Sequence, residues 1–318
     1  MMKKRVGVLM GGPSSEHDIS IKSGKAVYKA LLDKGIDAIP IELVELAQAK
    51  AMNGYKEEVK RLIQSSNIEI AFIALHGGFG EDGAIQELLE EMRIPYTGSK
   101  VAASRLGIDK IASRNIFKRY NIPMPRYMVV QGRTSNIQDI HGSALKELGM
   151  PLVVKPSREG SSIGLTIVDS EKDFSKALDD AFRYSRDVLI EEYVRGREIT
   201  VGIFDDRPLP VVEIIPKKRF FDFDAKYKKG LTEYRVPAEI EKGKYVDSQK
   251  TALMAHKALA ARFFSRVDMI LSEKGVPVVL ELNTIPGLTE TSLLPKAACS
   301  SGIDFQKLVL KITESALW

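Results

Sequence analysis

The chain has 318 residues, of which 44% are apolar, so it can bury a substantial core in about two or three domains. Its 47 basic residues face 42 acidic ones, and the net charge of +5 suits a phosphate-bearing ligand without demanding nucleic acid. The single cysteine, Cys299, excludes an internal disulfide, and no stretch approaches the ~20 apolar residues of a membrane span. Composition therefore predicts a soluble cytoplasmic protein.

The N-terminal third alternates short apolar strands with amphipathic helices. "RVGVLMGG", "DAIPIEL" and "IEIAFIALHGG" predict strands, and a helix that ends at Gly35 separates the first two. "AIQELLEEM" predicts a further helix. This alternation is typical of a parallel α/β layer, whose ligands lie beyond the carboxyl ends of its strands.

Two glycine-rich segments follow strands of this layer. "GGPSSEH" contains Glu16, and "HGGFGEDG" begins with His76. Neither contains GxGxxG, which disfavours a dinucleotide site. For the glycines alone, tight turns are as good an interpretation as a ligand site, and His76 alone fits a hydrogen-bonded loop histidine as well as a functional one. Glu16 and His76 together favour a site.

After Gly98 the pattern changes to a succession of strands. "GIDKIASRNIFKRYNIPMP" predicts a helix that Asp109 caps and prolines stop. Another helix is predicted to begin near Val246. We place domain boundaries near residues 99 and 190. The strands predicted between the two helices are "RYMVVQG", "PLVVKPS", "GLTIVD", "DVLIEEYV", "EITVGIF" and "PLPVVEIIP".

The segment "PLVVKPSREGSSIGLTIVD" combines a lysine with a small-residue loop. Lys155 ends an apolar strand, and Gly160, Ser161, Ser162 and Gly164 follow it. Small residues let backbone N–H groups and hydroxyls approach phosphate oxygens, and lysine adds a point charge. The pattern is not a Walker A loop. A glycine–serine hairpin with a solvated lysine remains the alternative to a phosphate site.

A second strand–turn–strand segment, "VLIEEYVRGREITVGIF", contains two acids around a short connection. Backbone groups near Val194 could hydrogen-bond an adenine edge, while Glu191 or Glu198 accepts from ribose hydroxyls or the exocyclic amine. Exposed acids are common, so solvated side chains are the competing interpretation.

The segment "RVDMILSEKGVPVVLELN" predicts a hairpin with a polar face. A turn centred between Lys274 and Gly275 places Asp268 opposite Glu281 and Arg266 opposite Asn283. Opposed acids repel unless a cation lies between them, and carboxylate and amide oxygens are the ligands that Mg²⁺ prefers. A solvated sheet face with an incidental Arg–acid pair is the alternative. The other face is predicted to enter the core: Val267, Met269 and Leu271 against Val278, Leu280 and Leu282.

Two further segments are candidates for binding or closure. "TIPGLTETSLLPKAA" predicts a helix beginning near Thr291 or Ser292, whose N–H groups suit a carboxylate or serve a plain helix cap. The long segment "KKRFFDFDAKYKKGLTEYRVP" predicts a lid, with Lys226 and Tyr227 covering the phosphate region. Its basic and aromatic residues also fit stacking on single-stranded nucleic acid.

Six segments together resemble the D-alanine–D-alanine ligase family of the ATP-grasp superfamily: "GGPSSEHDIS", "HGGFGEDG", "KPSREGSSIG", "FDFDAKY", "SRVD" and "ELNTIPGLTETSLLP". The resemblance runs in matching order from about residue 5 to the C-terminus. It implies an α/β and α+β chain, with an N-terminal Rossmann-like parallel α/β domain (1–98) followed by a two-lobed ATP-grasp fold. The lobes would span 99–190 and 191–318, with a lid at about 217–237.

The resemblance also implies the reaction and the roles of individual residues. Two D-alanines would be joined for peptidoglycan precursor synthesis while ATP becomes ADP and phosphate. The implied ATP-binding residues are Lys110, Lys155, Ser161, Glu191, Val194, Glu198 and Lys226. The residues implied to bind a pair of Mg²⁺ ions, or Mn²⁺, are Asp268, Glu281 and Asn283. The residues implied to bind the D-alanines or to act in catalysis are Glu16, His76, Ser161, Tyr227, Arg266, Gly287, Ser292 and Leu293.

Related ligases form D-alanyl-D-lactate or D-alanyl-D-serine, and Tyr227 favours the dipeptide because lactate-forming relatives carry histidine there. Two positions depart from the family pattern, and both concern packing: Glu87 in "DGAIQELLE" and the missing glycine before the aromatics of "ALAARFFSRVD".

The resemblance also predicts a homodimer, with no nucleic-acid or membrane partner. The rivals are another ATP-grasp ligase with different substrates and a non-catalytic nucleotide- or nucleic-acid-binding protein.

Overall fold

A parallel three-stranded sheet forms the N-terminal part of the computed structural model, which describes residues 4–43, 52–132, 137–217 and 230–317. Its strand order is β2-β1-β3, and Val6 of β1 pairs with Ala38 on one side and Ile70 on the other. The predicted parallel α/β layer is therefore confirmed. Its elements are β1 (Val6–Gly11), α1 (His17–Asp33), β2 (Ala38–Leu43), α2 (Met52–Ser65), β3 (Ile70–Ile73) and α3 (Ala84–Glu91).

Helices cover both faces of this sheet. On one face α1 packs closely on β1, because a Cβ atom added at Gly24 would lie 2.4 Å from the Cβ of Met10. On the other face α2 buries Tyr55, Val59 and Ile63 in a separate cluster. Helix α2 was not predicted from the sequence, although those three residues recur at helical spacing.

An antiparallel four-stranded sheet, β4-β7-β5-β6, follows two helices. Asp109 accepts hydrogen bonds from the backbone N–H groups of Ile111 and Ala112, both at 3.0 Å, which confirms the predicted cap. This part comprises α4 (Val101–Ile108), α5 (Lys110–Arg119), β4 (Tyr127–Gln131), α6 (Ile137–Leu148), β5 (Leu152–Pro156), β6 (Thr166–Val168), α7 (Phe174–Ala181) and β7 (Asp187–Glu192).

An antiparallel five-stranded sheet, β10-β9-β8-β11-β12, completes the fold. One face packs on α8 and α5, and the other packs against α9, α10 and the N-terminal sheet. Its elements are β8 (Gly196–Phe204), β9 (Arg207–Pro216), β10 (Thr232–Arg235), α8 (Lys242–Ala258), β11 (Phe264–Ser272), β12 (Pro277–Asn283), α9 (Leu293–Ser300) and α10 (Phe305–Glu314).

Helix α8 begins four residues before the predicted start near Val246. Its first turn is tied to the sheet, because the backbone N–H of Val211 donates to the Tyr245 hydroxyl at 2.9 Å. The apolar pattern missed this turn since Lys242, Gly243 and Lys244 carry no apolar side chain. The domain boundaries near residues 99 and 190 stay a prediction.

The β11–β12 hairpin confirms the predicted polar face and corrects the apolar one. Arg266 pairs with Asn283 and Asp268 with Glu281. Met269 then pairs with Val279, because a β-bulge interrupts the register between Asp268 and Met269. The register beyond the bulge is shifted by one residue. Val279 therefore enters the core in place of Leu280, which was predicted there and lines a cavity instead. Val278 is buried, as predicted, although it pairs with Ile270 and not with Leu271.

Within the described ranges, no helix is both long and apolar enough to span a membrane.

Candidate active site

Two cavities meet at the polar face of the β11–β12 hairpin. The first, which we call the inter-sheet cavity, has a volume of about 370 Å³ and lies between the four- and five-stranded sheets. The second, the loop-lined cavity, has a volume of about 510 Å³ and lies between the loops after β1, β3, β5 and β12. Glu281 lines both, so the two cavities share a wall.

Every described residue that the resemblance singled out lines one of these cavities. Lys226 and Tyr227 lie outside the described residues. The inter-sheet cavity is lined by Lys110, Lys155, Glu191, Val194, Glu198, Asp268 and Glu281. The loop-lined cavity is lined by Glu16, His76, Ser161, Arg266, Glu281, Asn283, Gly287, Ser292 and Leu293.

Each of the two opposed acids of the hairpin contacts a cation. Arg266 holds both oxygens of Asp268, with Nε–Oδ1 at 2.8 Å and Nη2–Oδ2 at 2.7 Å. The Thr200 hydroxyl donates to Asp268 Oδ1 at 2.6 Å, and Lys110 Nζ lies 3.4 Å from Glu281 Oε2. The repulsion expected between opposed carboxylates is thus neutralised within the chain.

The hairpin's polar side chains fit a divalent cation that has additional ligands. The Asn283 amide donates to Asp268 Oδ2 at 3.2 Å through its nitrogen, so its carbonyl oxygen remains an acceptor. With Asp268 and Glu281, this gives two carboxylates and one amide oxygen, which are hard ligands. The described residues contain no group of three or more His, Cys, Asp or Glu at metal-binding spacing. Phosphate oxygens would therefore have to complete the shell.

A buried ion network forms the back of the inter-sheet cavity. Glu191 Oε2 lies 2.7 Å from Lys155 Nζ, and Glu191 Oε1 accepts from Arg114 Nη2 at 2.7 Å and from Nε at 3.0 Å. Burial alone raises the pKa of Glu191, but Arg114 and Lys155 outweigh it and hold that pKa below its ordinary value. Burial lowers the pKa of Lys155, and Glu191 opposes this shift.

Arg114 was not among the residues predicted for the site. It follows Lys110 by four residues on α5, so both side chains lie on the same helix face. That spacing was the one available signal.

The loop between β5 and β6 is fixed to the start of α5. Lys110 donates from its backbone to Ser157 O at 2.9 Å and from Nζ to Glu159 O at 2.5 Å. Ser161 and Ser162 adopt left-handed backbone conformations, with φ of 48° and 60°. The loop therefore directs Ser161 into the loop-lined cavity while Lys110 and Lys155 face the inter-sheet cavity.

Glu16 and Ser161 join the loop after β1 to the loop after β5 across the loop-lined cavity. The Ser161 hydroxyl donates to Glu16 Oε1, and both residues are buried. The carboxylate follows β1 and precedes α1, at the carboxyl edge predicted for ligands. A buried carboxylate in a polar cavity suits an ammonium group.

His76 is held by three neighbours. Its Nε2 lies 3.0 Å from the Ser23 hydroxyl, its Nδ1 lies 3.0 Å from Ile285 O, and Glu81 Oε1 is 3.6 Å from Nδ1. Burial raises the pKa of Glu81; His76 opposes the shift, and the charge of Glu16 adds to it. Ser23 and Glu81 were not predicted as site residues, although Glu81 lies within "HGGFGEDG".

Helix α9 begins beside Gly287, as predicted for a start near Thr291 or Ser292. The Ser292 hydroxyl accepts from Thr289 N at 3.1 Å and makes no side-chain capping bond to the helix. Ser292 and Leu293 line the loop-lined cavity, so the first turn of α9 opens toward it. Unpaired N–H groups of a first helical turn suit a carboxylate.

The fold and site are those of an ATP-grasp ligase. Two antiparallel sheets enclose a cavity lined by lysines and by the opposed acids of the hairpin, and a parallel α/β layer lies beside them. The family model described as "D-ala D-ala ligase C-terminus" matches residues 116–314, and "D-ala D-ala ligase N-terminus" matches residues 5–50 and 44–99. The chain belongs to the D-alanine–D-alanine ligase family.

Curated relatives and solved structures resemble nearly the whole chain. The D-alanine–D-alanine ligase of Geotalea uraniireducens is 42% identical over 314 residues, covering 98% of this chain and 96% of that protein. That of Trichlorobacter lovleyi is 43% identical over 318 residues, covering 99% and 96%. The crystal structure of the Bacillus anthracis ligase has a TM-score of 0.84 at 36% identity, covering 99% and 97%. The Bacillus anthracis ligase complexed with ATP has a TM-score of 0.82 at 34% identity, again covering 99% and 97%.

Proposed function

We propose that this chain joins two D-alanines to D-alanyl-D-alanine and converts ATP to ADP and phosphate. The observation that carries the proposal is the shared wall at Glu281, where a lysine-lined cavity meets a cavity with groups suited to an amino acid. A carboxylate in the second cavity would then lie beside the phosphates in the first. Such proximity is what a reaction between the two requires.

We infer that the inter-sheet cavity takes ATP. Lys110 and Lys155 would contact the phosphates, and Glu191, the backbone at Val194, and Glu198 would hold adenine and ribose. Lys226 would join them from the lid. The two lysines line the same cavity as Glu191 and Glu198, which supports this assignment.

Asp268, Glu281 and Asn283 would hold a pair of Mg²⁺ ions, with Mn²⁺ as the alternative. Bound there, the ions would supply positive charge beside the phosphates. The support is the donor chemistry of the three side chains, together with their common position on one face of the hairpin.

The reaction proceeds in two steps. A carboxylate is a poor electrophile, so an oxygen of the first D-alanine attacks the γ-phosphorus of ATP, ADP leaves, and an acyl phosphate forms. Glu16 binds the ammonium of this D-alanine, and Ser161 orients Glu16; Tyr227 would extend that link to the lid. Lys155 and Lys226 neutralise charge on the phosphoryl oxygens.

The second D-alanine attacks the acyl carbon through its neutral amine. Ser292 and the Leu293 backbone bind its carboxylate, and His76 lies near the first substrate. Arg266 and the Gly287 N–H stabilise the tetrahedral oxyanion, which collapses to the amide with loss of phosphate and of one proton from the attacking amine. Closure of the segment predicted as a lid would exclude water and protect the acyl phosphate from hydrolysis.

An ADP-release assay tests this function against its rivals. We expect ADP release to require D-alanine and to be far slower with D-lactate, D-serine or the L-isomers. Another ATP-grasp ligase would ignore D-alanine, and a non-catalytic nucleotide-binding protein would release no ADP with any of them. Detection of D-alanyl-D-alanine in stoichiometry with ADP completes the test.

We further propose that the chain works as a homodimer in the cytoplasm, where ATP and peptidoglycan precursors are available. Light scattering at several protein concentrations measures the oligomeric state, and cell fractionation measures the location.

A further inference from the structure

Arg114 is a fully buried arginine with four hydrogen bonds that bridge two strands. Besides the two bonds to Glu191 on β7, its Nη1 donates to Val279 O at 3.0 Å and its Nη2 to Leu280 O at 2.8 Å on β12. Its side chain has no solvent-exposed surface. These bonds use four of its five N–H donors, which offsets the loss of hydration of a buried guanidinium.

The two carbonyls on β12 belong to the bulge. In a regular strand, successive carbonyls point to opposite edges, yet those of Val279 and Leu280 both accept from Arg114. The backbone N–H of Val279 lies on this edge of β12 as well, and it donates to Pro123 O at 2.8 Å. The guanidinium therefore stabilises the bulge, which directs Leu280 into the inter-sheet cavity.

Arg114 also connects the two walls of that cavity from behind. Glu191 and Lys155 belong to the four-stranded sheet, and Leu280 and Glu281 to the five-stranded sheet. Arg114 itself does not line the cavity. Its contacts fix how far apart the two walls lie.

The network leaves a positive charge for a bound anion. Glu191 offers one oxygen to Arg114 and the other to Lys155, so two cations share one carboxylate. Without Arg114, Lys155 and Glu191 would form a neutral pair, and the undivided carboxylate would retain the ammonium group. Binding of phosphate would then compete with a buried salt bridge.

We propose that Arg114 is a positioning residue for the nucleotide: it fixes Glu191 and the bulge of β12, and it compensates the charge of Glu191 so that Lys155 attracts phosphate. This inference rests on the proposed function in so far as the inter-sheet cavity takes ATP. It predicts selective loss of ATP affinity when the guanidinium is replaced.

The test compares Arg114→Gln, which removes the charge, with Arg114→Lys, which keeps it but loses the planar fork. ATP binding is measured by calorimetry without D-alanine, and KM for ATP and for D-alanine by ADP release. For Arg114→Gln we expect Kd and KM for ATP to rise about 10-fold or more while KM for D-alanine stays within about 2-fold. Arg114→Lys is expected to recover part of the loss.

Arg262→Lys is the matched control. Arg262 Nη2 also donates to a main-chain carbonyl, Ser315 O at 2.7 Å, but Arg262 lines neither cavity. A purely structural role of Arg114 would lower the folded fraction, hence kcat, and leave both KM values unchanged. That result, or an equal rise in both KM values, would overturn the proposal.

If Arg114→Gln does not fold, Arg114→Lys decides the matter: a rise of about 3-fold or more in Kd for ATP supports the proposal, and a smaller one overturns it. Failure of the proposed function is distinguishable. A wild-type chain that binds ATP but releases no ADP with D-alanine refutes the ligase activity and still allows calorimetry to test Arg114.

Discussion

Asp268 lies directly opposite Glu281 across the β11–β12 ladder, and each carboxylate contacts a different cation. Arg266 holds Asp268 from the side of the loop-lined cavity, whereas Lys110 reaches Glu281 from the start of α5. The acid pair is thus built by two strands and neutralised from two directions. Under the proposed function, binding of Mg–ATP would redistribute these contacts, which makes Glu281 the most informative residue to replace.

We predict that Glu281→Gln lowers kcat by about 100-fold or more, because it removes one carboxylate from the face proposed to stabilise the phosphoryl transition state. The measurement is ADP release across a titration of Mg²⁺. The isosteric amide should leave the melting temperature close to that of the wild type.

Glu273→Gln is the control, since Glu273 lies exposed in the turn of the same hairpin. It should keep wild-type turnover. Wild-type turnover of Glu281→Gln as well would remove the metal assignment.

A second prediction concerns Glu16, whose carboxylate accepts from the Ser161 hydroxyl. Glu16→Gln should raise KM for D-alanine by about 10- to 100-fold, the cost of losing a charged hydrogen-bond partner for an ammonium group. KM for ATP should change little because Glu16 lines only the loop-lined cavity. Asp18→Asn, at an exposed position in the first turn of α1, serves as control. Parallel increases in both KM values would contradict the assignment.

The sequence predicted the polar face of the hairpin because its register follows from one turn position and from alternation along both strands. It did not predict the bulge. "VPVVLEL" is apolar on both sides of the extra residue, so a shift of one position leaves the pattern unchanged. The structure distinguishes the two registers by the pairing of Met269 with Val279 and by the contacts of Arg114 with the carbonyls of Val279 and Leu280.

Arg114 itself was missed for a related reason. An arginine on an amphipathic helix is usually exposed. Its burial depends on Glu191, which lies 77 residues away along the chain, and on the carbonyls of β12. Side chains on loops that follow strands, such as Glu16 and His76, were easier to find because the strand edge locates them. Helix α2 could have been predicted from the spacing of Tyr55, Val59 and Ile63.

A third prediction uses the close approach of two loops. A Cβ atom added at Gly160 would lie 2.8 Å from Glu16 Oε2, so Gly160→Ala must displace the carboxylate. We expect KM for D-alanine to rise while the protein stays folded, because the displaced group is the end of a flexible side chain. Combined with Glu16→Gln, the substitution should add little, since both act on the same contact.

Gly142→Ala, in α6 with nothing near its added Cβ, is the matched control. It should leave both KM values unchanged and stabilise the protein by up to about 1 kcal/mol through helix propensity. If Gly160→Ala keeps the wild-type KM for D-alanine, Glu16 does not need its observed position.

The last prediction concerns stability and pH at His256, a buried residue of α8. Its Nδ1 lies 2.8 Å from the Ser265 hydroxyl and its Nε2 2.9 Å from Asp206 Oδ1. Burial lowers the pKa of His256 from its ordinary value of 6.5, although Asp206 opposes the shift. The unfolded chain therefore takes up a proton at higher pH than the folded one, and acidification below the ordinary pKa favours unfolding.

The free energy of unfolding, measured with urea between about pH 8 and pH 5.5, should fall as the pH drops through the ordinary histidine pKa. His256→Gln should remove this component of the slope. Asp206→Asn should steepen it, because the exposed carboxylate that opposes the shift is lost. The opposite responses separate protonation of His256 from general destabilisation, and identical slopes in all three proteins would show that His256 does not titrate in this range.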